Sequence, residues 1–319
     1  MTRTPRATSK WTADQAPGQT GRTFVITGAN SGLGFEMTRQ LARRDAHVVM
    51  AVRNLDRGRS AAARITGEFP AARLDVRDID LGDLDSVRTF ADRLHAEGLP
   101  IDVLVNNAGI MMPPYSRSPQ GFESQFATNH LGHFALTGLL LDAFRGERDP
   151  RIVTVTSFVH KRGAVDFDNF DGTRGYKGVG FYTQSKLANV LFGLELDRRL
   201  RAVASPIRSV LAHPGYANTP LQSTGPGGIR TQLLKLAGKL MAQSAGQGAL
   251  SQLYAATVPD VRGGQLIGPD GKGDRSGFPT VVHPSDTAMD PDLARHLWEV
   301  SEKLTGVRYE LPVPVDMTA

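Results

Sequence analysis

The 319-residue sequence contains no cysteine. A disulfide framework and a thiolate metal site are therefore excluded. Long apolar runs are also missing. None approaches the roughly 18 residues that a membrane-spanning helix needs, so no integral membrane segment is expected. The N-terminus lacks the apolar stretch of a secretory leader, and a cytoplasmic location is the expectation. Acidic residues are the scarcer charge, 32 against 37 lysines and arginines, for a net +5. Part of that excess is Arg3, Arg6 and Lys10, in a polar opening rich in Thr, Ser, Pro and Gly. Residues 1–20 read as a flexible, solvated arm, and no nucleic-acid partner is expected.

From Arg22 onward, short β-rich runs alternate with amphipathic stretches. The strand candidates are Thr23–Thr27, His47–Val52, Ala72–Val76, Val103–Asn106, Ile152–Thr156, Ile207–Ala212 and Gly264–Ile267. Between them lie helical stretches near Gly32–Arg44, Leu55–Gly67, Leu84–Ala96, Gly121–Phe144, Tyr182–Arg201 and Gly246–Ala256. Strands alternating with helices imply βαβ units and a parallel sheet. Runs such as HVVMAV and IVTVT are apolar nearly throughout, which suits strands covered on both faces. No repeat and no internal boundary is visible, so residues 21–319 are read as one α/β domain. A doubly wound sheet of seven parallel strands, in the order 3-2-1-4-5-6-7 with helices on both faces, is expected.

The first strand runs straight into Gly28-Ala-Asn30-Ser31-Gly32-Leu33-Gly34, and a helix follows. Glycines let the backbone turn tightly and approach a pyrophosphate closely. The helix N-terminus offers free N–H groups to the phosphates. The spacing is Gly-x-x-x-Gly-x-Gly, preceded by Thr27. This segment resembles the cofactor motif of the short-chain dehydrogenase/reductase family, whose Rossmann-type, three-layer fold agrees with the strand pattern.

The second strand ends in Arg53-Asn54, nineteen residues past Gly34, with no acid before Asp56. A carboxylate there would hold the ribose 2′-hydroxyl of NAD, whereas an arginine accommodates a 2′-phosphate. Arg53 can pair with such a phosphate in a charge-assisted way. NADP(H) is the expected cofactor, although Ser31 stands where many NADP-preferring members have a basic residue. By resemblance, Asp75 and Val76, closing the third strand, contact the adenine. Asn106-Asn107-Ala108-Gly109 is the family's NNAG motif, whose small residues let the backbone pass close to the cofactor.

Tyr182-Thr-Gln-Ser-Lys186 places a phenol and an ammonium at i and i+4 on one helix face. A nearby ammonium draws a phenol's pKa down from about 10, so the pair is expected to exchange a proton near neutral pH. Ser157 follows the fifth strand and can hydrogen-bond the substrate oxygen. Thr156 is a rival for that role. In the family the serine commonly stands nearer the tyrosine, whereas here 25 residues separate them. This longer segment resembles the retinol-dehydrogenase and protochlorophyllide-reductase-like branch. Asn129 stands in an otherwise apolar helix. By resemblance it is a fourth catalytic residue, holding a water that connects Lys186 to bulk solvent. His130 and His133 lack further partners in a ligand-like pattern, so no metal is expected. By resemblance, Pro214 and Gly215 shield the nicotinamide and Thr219 bonds its carboxamide. Residues 217–245 then form a mobile substrate lid.

The resemblance implies an oxidoreductase that moves a hydride between the nicotinamide and a small-molecule carbonyl or alcohol. Tyr216, Leu221 and Ile229 point to an apolar substrate. Reduction of a conjugated C=C bond, with the same tyrosine, is the alternative. A nucleotide-sensing protein is a third reading, disfavoured because the Tyr/Lys pair is retained. A homodimer through Gly121–Phe144 and Tyr182–Arg201 is also implied.

Overall fold

The computed structural model describes residues 10–144, 148–216 and 243–311. Eight strands form one sheet: β1 (Thr23–Thr27), β2 (His47–Val52), β3 (Arg73–Asp78), β4 (Val103–Asn106), β5 (Arg151–Val155), β6 (Arg208–Ala212), β7 (Leu266–Pro269) and β8 (Pro279–Val282). Their order is β3-β2-β1-β4-β5-β6-β7-β8. The first seven are parallel, as the βα pattern requires. The eighth is an addition to the expected sheet, and it runs antiparallel to β7, pairing Leu266 with Val282 and Pro269 with Pro279.

Central strands are apolar because both their faces are covered. Phe24, Val25 and Ile26 of β1 are all fully buried, as are Val103, Leu104 and Val105 of β4. The edge strand β3 instead carries Arg73, Asp75, Arg77 and Asp78, partly or fully exposed. One face of the sheet holds α1 (Gly32–Ala42), α2 (Leu55–Glu68) and α6 (Ala245–Thr257), packed around Phe35, Met37, Leu41, Ile65 and Leu253. The other holds α3 (Leu84–Ala96), a composite α4 and α5 (Gly178–Ala202). The composite helix starts as Ser124–Phe126, winds through a π-helical turn at Ala127–Leu131 and continues as Gly132–Leu139.

A last helix, α7 (Pro291–Thr305), lies beyond the expected elements. Asp290 caps it by accepting from Asp292 N–H and Leu293 N–H at 2.9 and 3.1 Å, proline occupies its first turn, and Gly306 ends it at φ +65°. These are ordinary start and stop signals. Its Trp298 is 2% exposed. The indole packs against Phe134 of α4 and Phe192 of α5, with ring centroids 5.2 and 5.9 Å away, and Tyr309 closes the cluster at 4.4 Å from Trp298. Trp298 and Tyr309 thus cover the part of α4 and α5 around Phe134 and Phe192.

Residues 10–20, read from the sequence as part of a flexible arm, make contacts with the domain. Trp11 stands edge-on to Tyr254 of α6 at 5.1 Å, Asp14 pairs with Arg43 at 2.9 Å, and Ala16 is buried. Residues 10–20 are therefore docked on the domain. Among the described residues, no helix is long and apolar enough to cross a membrane.

Candidate active site

The strand order reverses between β1 and β4, and ligands of such sheets bind outside the strand C-termini at that point. A cleft of about 750 Å³ opens there. The glycine turn forms one wall. Gly28 has φ +68° and Gly32 φ +54°, conformations that favour glycine. A Cβ on Gly34 would lie 2.5 Å from the Gly28 carbonyl oxygen and 2.6 Å from Asn107 Nδ2. Only glycine lets the start of α1 sit this close to the β4 turn. Asn107 Nδ2 donates to the Thr27 carbonyl at 2.6 Å, and the Asn107 and Ala108 N–H groups both donate to Thr27 Oγ1 at 2.9 Å. Gly28, Asn30, Ser31, Leu33, Gly34, Asn107, Ala108 and Gly109 all line the cleft, while Gly32 belongs to the turn without lining it.

At the end of β2, Arg53 and Asn54 line the same cleft, joined by Arg57 from the first turn of α2. Asn54 Oδ1 caps that helix by accepting from Arg57 N–H at 2.9 Å. Neither the Arg53 nor the Arg57 guanidinium has an acidic partner among the described residues. Two exposed cations thus face one end of the cleft.

Asp75 and Val76 are not there. They lie inside β3, which continues to Asp78. Asp75 pairs with His47 at 3.0 Å, and Val76 packs under α2 where Gly58 leaves room. The residues that reach the cleft at this edge are Ile79, Asp80 and Leu81. The Asp80 carboxylate accepts from Gly82 N–H at 2.8 Å, and Gly132 allows Leu81 to pack directly on α4.

At the other end, Ser157, Tyr182 and Lys186 come together. Ser157 caps a short turn, Phe158–Arg162, and lines the cleft beside Tyr182, near enough to lower the pKa of its phenol. The Thr156 hydroxyl is committed elsewhere, donating to the Lys186 carbonyl at 2.7 Å. Lys186 Nζ lies 5.8 Å from the Tyr182 ring centroid and donates to the Val155 carbonyl at 3.4 Å. The expected depression of the phenol does not dominate. Burial pushes the Tyr182 phenol up to about 12, opposed by the neighbouring Ser157 side chain. Burial also pushes the Lys186 ammonium down to about 8. At neutral pH the resting pair is a protonated phenol beside a largely protonated amine.

Asn129 does not line the cleft. It sits behind Gly109 in the π-helical turn, a distortion that often marks functional sites. Its Oδ1 accepts from Ile110 N–H at 2.8 Å, and its Nδ2 donates to the Ile110 carbonyl at 3.0 Å and Ser185 Oγ at 2.9 Å. Pro214 and Gly215 line the cleft, and Gly215 at φ +69° passes against the Arg275 carbonyl. Thr219, Leu221, Ile229 and the body of the expected lid lie outside the described residues. The remaining wall is mostly apolar: Ile110, Met111, Met112, Phe158, Val159 and Tyr216.

The match to known proteins follows this geometry. Residues 22–226 fit the model of the short chain dehydrogenase family. The chain belongs to that family. This short-chain dehydrogenase is 38% identical to mouse (Mus musculus) polyprenol dehydrogenase over 296 residues, covering 91% of the chain and 85% of that protein. It is 36% identical to mouse retinol dehydrogenase 12, covering 91% of the chain and 88% of that protein. A crystal structure of a putative uncharacterized protein from Mycobacterium paratuberculosis superposes with a TM-score of 0.79 at 42% identity, over 95% of this chain and all of the other. The retinol-dehydrogenase-like character of the sequence and its oxidoreductase class are thereby established.

Proposed function

We propose that the protein is an NADP(H)-dependent enzyme interconverting a carbonyl and an alcohol on an apolar small molecule. One observation carries the reading. Two arginines with no acidic partner among the described residues line one end of the cleft, and a serine–tyrosine–lysine group lines the other.

The cleft fits a dinucleotide on its own evidence. The Gly34 approach leaves a side-chain-free cradle at a helix N-terminus, as a pyrophosphate requires. Arg53 and Arg57 supply the charge for a ribose 2′-phosphate, and no carboxylate at the end of β2 opposes it. When bound, the nicotinamide supplies the hydride chemistry, while the protein positions and polarises.

In the reducing direction Ser157 holds the substrate oxygen by donating to it. Tyr182 gives its phenolic proton to that oxygen as negative charge develops there. Lys186 stands beside the phenol and offsets the charge left on it. Asn129 holds Ile110 and Ser185, and so fixes the relation between the β4 turn and α5. Met111, Met112, Phe158 and Val159 receive the apolar part of the substrate. The reading is tested by incubating the protein with NADPH or NADH and a panel of retinoids, isoprenoid aldehydes, steroids and quinones. Alcohol products formed preferentially with NADPH are expected. Products saturated at a C=C bond would overturn the carbonyl assignment.

A further inference from the structure

The cleft walls do not exhaust the polar groups around Lys186. His133 lies four residues beyond Asn129, fully buried among Phe134, Ala135 and Leu136. Its Nδ1 is 3.0 Å from the Asn129 carbonyl oxygen and its Nε2 is 2.9 Å from Thr27 Oγ1. A carbonyl only accepts, so Nδ1 carries the proton and donates. Burial keeps the ring neutral, pushing its pKa down to about 4, against the Asn129 bond and with help from the Lys186 charge. In the neutral ring Nε2 is an acceptor, so the Thr27 hydroxyl donates to it.

The two contacts join two parts of the site. On one side, Thr27 Oγ1 accepts the N–H groups of Asn107 and Ala108 in the cofactor-side turn. On the other, Asn129 Nδ2 donates to Ser185 Oγ, and Ser185 Oγ donates to the Tyr182 carbonyl at 2.9 Å. A Cβ on Gly109 would lie 3.2 Å from Asn129 Oδ1 and 3.5 Å from Lys186 Nζ, so the lysine stands beside this chain of bonds. Thr27, His133, Asn129 and Ser185 are all fully buried, which leaves no water to replace a lost partner.

We propose that His133 is a positioning residue, tying the cofactor-side turn at Thr27 to the π-helical turn that carries Asn129, and through it to Tyr182. The inference rests on the dehydrogenase reading above. An apolar side chain could fill the space. Imidazole adds one donor and one acceptor on opposite sides, and both are used.

The test separates the two ends. His133→Asn keeps a donor near the position of Nδ1. His133→Gln keeps an acceptor near the position of Nε2. His133→Leu keeps neither. Each variant is compared with wild type by thermal melting, by fluorescence titration with NADPH, and by turnover of farnesal as a probe aldehyde. The leucine variant is expected to lose about tenfold in both NADPH affinity and kcat, the scale of one or two buried hydrogen bonds. The glutamine variant should regain NADPH affinity while kcat stays low. The asparagine variant should regain kcat while NADPH affinity stays low. Parallel losses of NADPH affinity and kcat in both the glutamine and the asparagine variants, following the drop in melting temperature, would overturn the proposal, as would a leucine variant that behaves like wild type. A wild-type protein that binds NADPH but reduces no carbonyl sinks the functional reading instead. The contrast in NADPH affinity between the glutamine and asparagine variants then still decides the role of His133.

Discussion

Trp298 of α7 stands edge-to-face on Phe134 of α4, with interplanar angle 73° and centroids 5.2 Å apart. The contact ties the C-terminal helix to the helix that carries Asn129. Its indole is almost fully buried, so truncation leaves a cavity that the surrounding rings cannot collapse into. Trp298→Ala should destabilise the fold by about 3–5 kcal/mol. Urea unfolding followed by circular dichroism measures this. A loss near zero would show that α7 is not part of the cooperative unit.

Tyr182→Phe should abolish turnover and leave NADPH binding nearly intact. The ring still fills its place, but the proton is gone. Loss of a general acid costs about 10²–10⁴-fold or more in rate. Near-normal activity in this variant would rule out the proton path through Tyr182.

The arginines at the end of β2 give the test of cofactor choice. A charge-assisted contact contributes about 1.5–3 kcal/mol, roughly tenfold to over a hundredfold in affinity. Arg53→Ala should weaken NADPH by that order and barely change NADH. Arg57→Ala should act in the same direction, and Arg53→Asp should go further by repulsion. Equal losses for both nucleotides, read by fluorescence titration, would mean that these residues do not face a 2′-phosphate.

Gly34→Ala probes the cradle. The added methyl would press on the Gly28 carbonyl and on Asn107 Nδ2, the donor that holds Thr27. Overpacking of this kind costs about 1–3 kcal/mol, and here it falls on a binding turn. NADPH affinity should drop roughly ten- to a hundredfold with little change in the far-ultraviolet spectrum. Unchanged affinity would place the phosphates elsewhere.

Acid should weaken the fold for a specific reason. Burial pushes His130, His133 and His213 down to about 3, 4 and 3. The unfolded chain takes up protons as pH falls through about 6.5, while the folded chain does not until about 4. Folded stability is therefore constant above about pH 7 with respect to these groups and declines below it. The slope is about 1.4 kcal/mol per pH unit for each histidine. Urea midpoints at pH 7 and pH 5 report it, and equal midpoints would contradict the neutral, buried state of the three rings.

Much of this was legible in the sequence, and the exceptions have physical causes. β1, β2 and β4 matched to the residue because buried parallel strands leave an unbroken apolar run between polar ends. The sequence pattern puts the end of β3 at Val76, two residues early, because an edge strand tolerates Arg77 and Asp78 and no polar boundary marks its end. Asp75 and Val76, given to the adenine side by resemblance, therefore lie inside the strand, and Ile79, Asp80 and Leu81 line the cleft beyond its end. The Arg57 side chain was missed because its position depends on the helical turn that brings it beside Arg53. The π-helical turn at Asn129 is invisible to periodicity, since it shifts the hydrogen bonds and not the residue types. α7 carries its own caps, but its role as a cover for α4 and α5 appears only once the chain is folded back.

The two borders of the sheet are closed in different ways. β3 presents arginine and aspartate along its free side, so a second apolar strand cannot lie there without burying charge. β8 is only four residues long, reverses direction, and begins with Pro279, which has no N–H to offer a neighbour. A sheet with an open β7 border would be a template for strand-by-strand growth between molecules. The antiparallel addition turns that border into a terminus, so the apolar central strands that build the cleft end on neither side at an open apolar edge.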